Sequence, residues 1–223
     1  MTAKRVRVAV LISGRGSNMA ALLAAAGNEE FPAHIAVVIA DRADAAGLAT
    51  ADAAGIPAMA VPRRDYSDKA AHEAAIEAQL HRHDIDLVCL AGFMRLLSGA
   101  FVARWQGRIL NIHPSLLPLF PGLDTHARAL AAGVRLHGCS VHFVTEGMDE
   151  GPIVAQAAVP VECHDTAQTL SERVLAAEHR LYPAALHAVA NGSVRLDPAT
   201  GRSVFSADPR ERAMEEAILF SGL

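Results

Sequence analysis

The feature that most narrows the fold is the run VRVAVLI at residues 6–12, which stops abruptly at Ser13 and Gly14. It is nearly all aliphatic and lacks polar alternation, so it reads as a strand buried on both faces rather than one side of an open sheet. An Ala/Leu-rich helical stretch, residues 18–26, follows at once. The exchange then recurs. HIAVVIA (34–40) precedes a helical stretch over 43–54 closed by Gly55, and AMAV (58–61) precedes a helix over 68–81. DLVCLAG (86–92) precedes a short helix over 98–104, and GRILNI (107–112) supplies a further strand. Such alternation predicts an α/β fold: a mostly parallel, doubly wound, Rossmann-like sheet with helices on both faces and right-handed crossovers.

The second half breaks that rhythm. HGCSVHFVTE (137–146) and PIVAQAAVPV (152–161) are two β-rich runs joined by GMDEG, which predicts a long antiparallel pair with a polar tip. A long helix over 166–189 follows, with Asp165 or Thr166 as its N-cap, and VRLDPATGRSVF (194–205) has the turn residues of a terminal hairpin. One domain over residues 1–190 is expected, in two halves meeting near residue 105, with 191–223 as a hairpin and tail. No repeat or low-complexity linker interrupts it.

Composition removes several functional classes. The 223 residues are 52% hydrophobic, enough for a substantial core. The apolar start is far shorter than the ~20 residues of a membrane-spanning helix, and no signal-peptide cleavage pattern follows it. Twenty basic residues against 24 acidic give no field of the kind that holds a nucleic-acid backbone. The three cysteines, Cys89, Cys139 and Cys163, are too few and too scattered for a disulfide framework or a zinc cluster. A cytoplasmic, metal-free chain acting on small molecules is the expectation, as monomer or homodimer.

Two stretches at expected strand ends carry chemistry. In SGRGSN (13–18), Gly14 and Gly16 permit a tight turn, and Ser17 and Asn18 are placed to cap the next helix. Free N–H groups and the positive helix end would then face one anion, a phosphate by preference. A dinucleotide fingerprint is the alternative, with Asp41 as the ribose-binding acid, but Met19 occupies the slot of the third glycine. A tight turn without a ligand is the bland reading, and the lesser one. In NIHPSLLP (111–118), period-two spacing points Asn111 and His113 to one side, where amide and imidazole could donate to an oxyanion and the imidazole could move a proton. Against this stands a structural histidine at a strand end. Asp149, between Gly147 and Gly151, would favour the imidazolium form if it reached His113; alone it reads as a turn residue.

Taken together, LISGRGSN, LAGFMRLLS, LNIHPSLLP, HGCSVHFVTEGMDEGPIV and the pair Glu178-His179 resemble the folate-dependent glycinamide ribonucleotide formyltransferases of purine synthesis, in order and without interruption from about residue 6 to 183. The resemblance implies transfer of the formyl group of 10-formyltetrahydrofolate, as co-substrate, to the amine of 5′-phosphoribosylglycinamide. It implies that Asn111, His113 and Asp149 are catalytic, that Gly16, Ser17 and Asn18 bind the substrate phosphate, and that Glu178 contacts its ribose. Lys69, Met94, Arg95, Leu96, Leu97, Asn111 and Val144 are implied on the folate side, with Arg63 and Arg64 close enough to compete with Lys69. No metal is implied. The half up to about residue 105 would bind phosphate, and the half from about 106 to 190 would hold folate and perform the chemistry. Two positions depart from the family pattern: Cys139 where Thr is common, and Asp124 where His is common. Related readings are a formyltetrahydrofolate hydrolase or another folate-dependent formyltransferase, whose extra domains this chain does not lead one to expect. A non-catalytic nucleotide-binding module is the reading from a different class, and it has no use for Asn111, His113 and Asp149 together.

Overall fold

Val8, Ala9, Val10, Leu11 and Ile12 have no exposed surface, which is why the aliphatic run becomes a strand with both faces covered. Each large aliphatic side chain so buried contributes about 1.5–3 kcal/mol. In the computed structural model, which describes residues 4–206, the run is strand β1 (Val6–Ile12). It pairs in parallel with β2 (Ala33–Ala40) on one side and β4 (Leu87–Leu90) on the other. Strand β2 pairs in parallel with β3 (Ala58–Ala60), and β4 with β5 (Ile109–His113). With β6 (Leu136–Phe143) and β7 (Ile153–Pro160), the hydrogen-bonded order is β3-β2-β1-β4-β5-β6-β7. The chain therefore steps outward from β1 to β3 and then returns to the other side of β1. Loops leaving β1 and β4 diverge at that reversal, the place where open parallel sheets take ligands.

The chain divides into two compact units between Asn111 and Ile112. In the first, helices α1 (Ser17–Ala26), α2 (Gly47–Ala53), α3 (Lys69–Arg82) and α4 (Gly99–Arg104) alternate with the strands. Helix α3 starts at Asp68, whose carboxylate accepts the Ala71 N–H at 2.8 Å, and α4 at Ser98, whose Oγ accepts from Phe101 at 3.2 Å. Helix α2 is shorter than the Ala-rich sequence suggests. Residues 42–45 are drawn into a turn, with Ala45 N–H on the Arg42 carbonyl at 3.4 Å and Arg42 paired to Asp44 at 2.7 Å. A single 3-10 turn, Arg63–Asp65, was not signalled by the sequence.

In the second unit β6 and β7 form the expected antiparallel pair, from Leu136↔Pro160 to His142↔Ile153. Strand β6 ends at Phe143, three residues before the expected limit, so Val144 opens the following loop. Gly138 is obligatory in this pair, because a Cβ there would run into the Ala157 carbonyl. Helix α5 (Thr125–Ala131) was not anticipated. The long helix α6 (Ala167–Ala190) starts with a reciprocal cap: Thr166 Oγ1 accepts Thr169 N–H at 3.2 Å, and Thr169 Oγ1 accepts Thr166 N–H at 3.0 Å. The terminal hairpin is present as β8 (Val194–Asp197) and β9 (Arg202–Phe205); the rest of the expected tail lies outside the described residues. Among the described residues no helix is long and apolar enough to cross a membrane.

Candidate active site

The loop after β1 turns through Gly16, whose φ of 71° is left-handed and suits glycine. Space demands glycine as well, since a Cβ at Gly16 would lie 3.0 Å from Met19 Cε and 3.2 Å from Gly47 Cα. Gly16 is itself the N-cap of α1, without a side-chain cap bond. The expected capping by Ser17 and Asn18 is thus corrected: both already lie in the first helical turn, after the cap position rather than at it. Gly47, which sequence reading missed, buttresses the loop by donating its N–H to the Gly14 carbonyl at 3.0 Å. A ten-residue helix thus presents its positive end at the carboxyl edge of β1, the arrangement that attracts an anion.

At the neighbouring edge, after β4, runs the segment containing Met94, Arg95, Leu96 and Leu97. A cavity of about 430 Å³ lies against it, lined also by Arg63, Lys69 and Glu73. The segment is held by its backbone: Ser13 N–H donates to the Gly92 carbonyl at 3.2 Å, and Met94 N–H to Ser13 Oγ at 2.8 Å. At its far end Ser98 N–H donates to the buried Glu73 carboxylate at 2.7 Å. Between these tethers, among the described residues, Arg95, Leu96 and Leu97 make no main-chain hydrogen bond within the protein. Their N–H and C=O groups can therefore meet a planar, hydrogen-bonding ligand. Met94 and Leu96 are 65% and 60% exposed, apolar surface available to cover a ring. Of the cations named from sequence, Lys69 and Arg63 line this cavity and Arg64 does not. Arg63 already donates to the Tyr66 carbonyl at 2.8 Å.

In the second unit the structure brings His113 and Asp149 together. Strand β5 extends through His113 rather than stopping before it, because the residue preceding a proline favours extended geometry and Pro114 follows. Asn111 and His113 are two residues apart on this strand, on the same side of its pleat. The His113 ring is 7% exposed, with Nδ1 3.4 Å from Asp149 Oδ2 and Nε2 3.1 Å from the Phe120 carbonyl oxygen. A carbonyl can only accept, so Nε2 carries a proton; a second proton, on Nδ1, makes an imidazolium paired with the carboxylate. Asp149 is fixed from behind. Its backbone is left-handed, φ 55°, and Oδ2 accepts the Gly122 N–H at 2.8 Å. The loop returns to β7 through Gly151, where any side chain would collide with the Phe143 carbonyl. Gly122 and Gly151 thus set the carboxylate's position.

Three further histidines surround this pair, and sequence reading assigned none of them. His142 donates from Nδ1 to the Phe143 carbonyl at 2.9 Å, and burial lowers its pKa, so it is neutral. Its Nε2 lies 3.9 Å from Asp149 Oδ1, and the neutral ring sets no opposing charge beside that carboxylate. His137 is held down at about 4 by burial and then by neighbouring His126, against a hydrogen bond to the Pro114 carbonyl that favours its charged form. His142 and His137, both lowered, therefore add no positive charge beside His113. Glu178 is buried on α6, where its charge adds to burial in raising the Cys139 thiol. Pro183, four residues beyond His179, lacks the N–H that would bond the His179 carbonyl, so the helix is loosened beside Glu178. Val144 follows β6 at the start of the Asp149 loop. Among the described residues no group of three or more His, Cys, Asp or Glu is placed to hold a metal ion.

Residues 6–186 match the formyl transferase family. The chain is similar to the trifunctional purine biosynthetic protein adenosine-3 of Bos taurus, 52% identical over 193 residues, which are 86% of this chain but 19% of that protein. It thus spans about a fifth of that relative's length. It is also similar to the phosphoribosylglycinamide formyltransferase of Bacillus subtilis, 42% identical over 180 residues, covering 81% of this chain and 92% of the relative. Among solved structures, that of phosphoribosylglycinamide formyltransferase from Brucella melitensis superposes with a TM-score of 0.82 at 62% identity, covering 85% of this chain and 97% of that one. With a match over most of its length and a close relative covered almost end to end, the chain belongs to the formyl transferase family.

Proposed function

We propose that this chain is a phosphoribosylglycinamide formyltransferase, moving the formyl group of 10-formyltetrahydrofolate to the glycinamide amine of 5′-phosphoribosylglycinamide. The products are the N-formyl ribonucleotide and tetrahydrofolate. The observation that carries this reading is the His113–Asp149 pair at 3.4 Å, an imidazole set against a carboxylate on a strand end that also bears the Asn111 amide. The amine attacks the formyl carbon, a C–N bond forms, and the carbonyl oxygen takes up negative charge. His113 as imidazolium and the Asn111 amide stabilise that oxygen by hydrogen bonding. The tetrahedral intermediate collapses as the bond to N10 breaks, and the proton lost by the amine passes to N10 through Asp149 and a water. No covalent enzyme intermediate is required.

The Gly16, Ser17 and Asn18 loop holds the substrate phosphate at the start of α1, and Glu178 meets the ribose. The main chain of residues 94–97 reads the pterin ring, with Lys69 and Val144 completing the folate side. Cys89, Cys139 and Cys163 are thiols rather than disulfides, which supports a reducing, cytoplasmic setting; a monomer or a homodimer is compatible with this reading. The test is an absorbance assay with 10-formyltetrahydrofolate, run with and without the ribonucleotide. Turnover that needs both substrates is expected. Turnover with folate alone would make the chain a hydrolase, and none with either would make it a binding module.

A further inference from the structure

Asp41 stood out in the sequence as an acid at the end of a strand, and the proposed chemistry does not use it. The structure leaves it no part in ribose binding. Its side chain is 1% exposed, and its Oδ2 accepts Arg95 Nε at 2.6 Å. Its backbone is fixed on both sides, N–H on the Ile12 carbonyl at 3.2 Å and C=O accepting Arg63 N–H at 3.1 Å. A sugar hydroxyl cannot reach a carboxylate so enclosed.

Arg95 lies midway along the segment whose main chain lines the cavity. Met94 is tethered to Ser13 and Ser98 to Glu73, and between those points the Arg95 side chain makes the one hydrogen-bonded tether among the described residues. Without it the groups of Leu96 and Leu97 would hang from the two ends alone. A carboxylate held rigidly by its own backbone, gripping a guanidinium that is 47% exposed, fixes the less constrained partner. The pairing also removes the Arg95 charge from direct service to a ligand, so Arg95 acts there through its main chain.

We infer that Asp41 is a positioning residue for the folate side: through Arg95 it holds the 94–97 backbone in the orientation that reads the ring. This rests on the proposed activity only for the identity of the ligand. Two measurements separate the ideas. In ligand-free protein, Asp41→Ala and Arg95→Met are each expected to speed amide hydrogen exchange across residues 92–98 about tenfold, with β1 and β4 unchanged. In the assay, each is expected to raise the KM for 10-formyltetrahydrofolate about tenfold. For Asp41→Ala, kcat and the KM for the ribonucleotide stay within about twofold. The double variant should be no worse than either single one, and Asp41→Asn, which keeps an acceptor for Nε, should recover most of the loss.

Unchanged exchange over 92–98, a rise in the ribonucleotide KM instead, or additive losses in the double variant would each overturn the inference. Should the unaltered chain show no formyl transfer, the activity reading fails while the exchange comparison still decides the brace. Should Asp41→Ala not fold, Arg95→Met and Asp41→Asn carry the same decision.

Discussion

Replacing Asp149 by Asn tests the centre of the proposed mechanism with little collateral change. Asn tolerates the left-handed backbone at this position, φ 55°, where Ala would add strain. Its amide oxygen can still accept the Gly122 N–H that Oδ2 now accepts at 2.8 Å. The loop should therefore keep its shape, with a melting temperature within about 3 °C of the parent. The charge facing His113 Nδ1 is lost. At the observed 3.4 Å, and with an effective dielectric of about 20, that attraction is worth about 5 kcal/mol before screening and relaxation. The amide oxygen that keeps the Gly122 bond would also be the atom facing Nδ1, a neutral acceptor that favours the imidazolium less than a carboxylate does. Losing a charged donor at the oxyanion costs about 3 kcal/mol. Steady-state kinetics should show kcat down a hundredfold or more, with both KM values within about threefold. A kcat near the parent's, or a loss confined to KM, would refute the assignment of Asp149 as the group that keeps His113 charged.

Gly16→Ala should raise the KM for the ribonucleotide and leave that for the folate alone, because the new Cβ would press on Met19 and Gly47 at 3.0 and 3.2 Å; differential scanning calorimetry should show a cost of about 1–2 kcal/mol from the left-handed backbone. Acid should weaken the fold through His137. Its folded value of about 4 lies below the unfolded value of about 6.5, so in that window the unfolded chain binds a proton the folded one refuses. Stability should fall by at most about 3 kcal/mol between pH 6.5 and 4, with no further loss from this group below that. Urea titrations at pH 7 and 4.5 should differ less in His137→Gln.

Residues whose environment is local were legible in the sequence. The buried strands announced themselves as aliphatic runs, and Ser98 and Thr166 sit as caps where hydroxyl residues precede helical stretches. Gly16, Asn111, His113 and Asp149 stood out because glycine, amide, imidazole and acid are unusual at strand ends and between glycines. What escaped depends on contacts distant in sequence. Helix α5 was missed since its N-cap, Asp124, is left-handed and makes no cap bond, so neither propensity nor capping marks its start. Gly47 gives no hint of its role until β1 brings the Gly14 carbonyl to it. His142 looks like one more residue of a strand until the turn at residue 149 folds back beside it. Asp41 suggested a ligand contact from position alone, and only its burial against Arg95 shows otherwise.

The hydrogen bond from His113 Nε2 to the Phe120 carbonyl bears on how binding energy is used. In the substrate-free protein that proton is already committed to a neutral acceptor of ordinary strength. An incoming formyl oxygen, also a neutral carbonyl, has no advantage over Phe120 and gains little by displacing it. Once the amine has attacked, the same oxygen becomes an anion and outcompetes the Phe120 carbonyl. In the proposed reaction the internal acceptor would therefore discount the ground state more than the transition state, so the His113 proton would accelerate formyl transfer without tightening the grip on unreacted substrate.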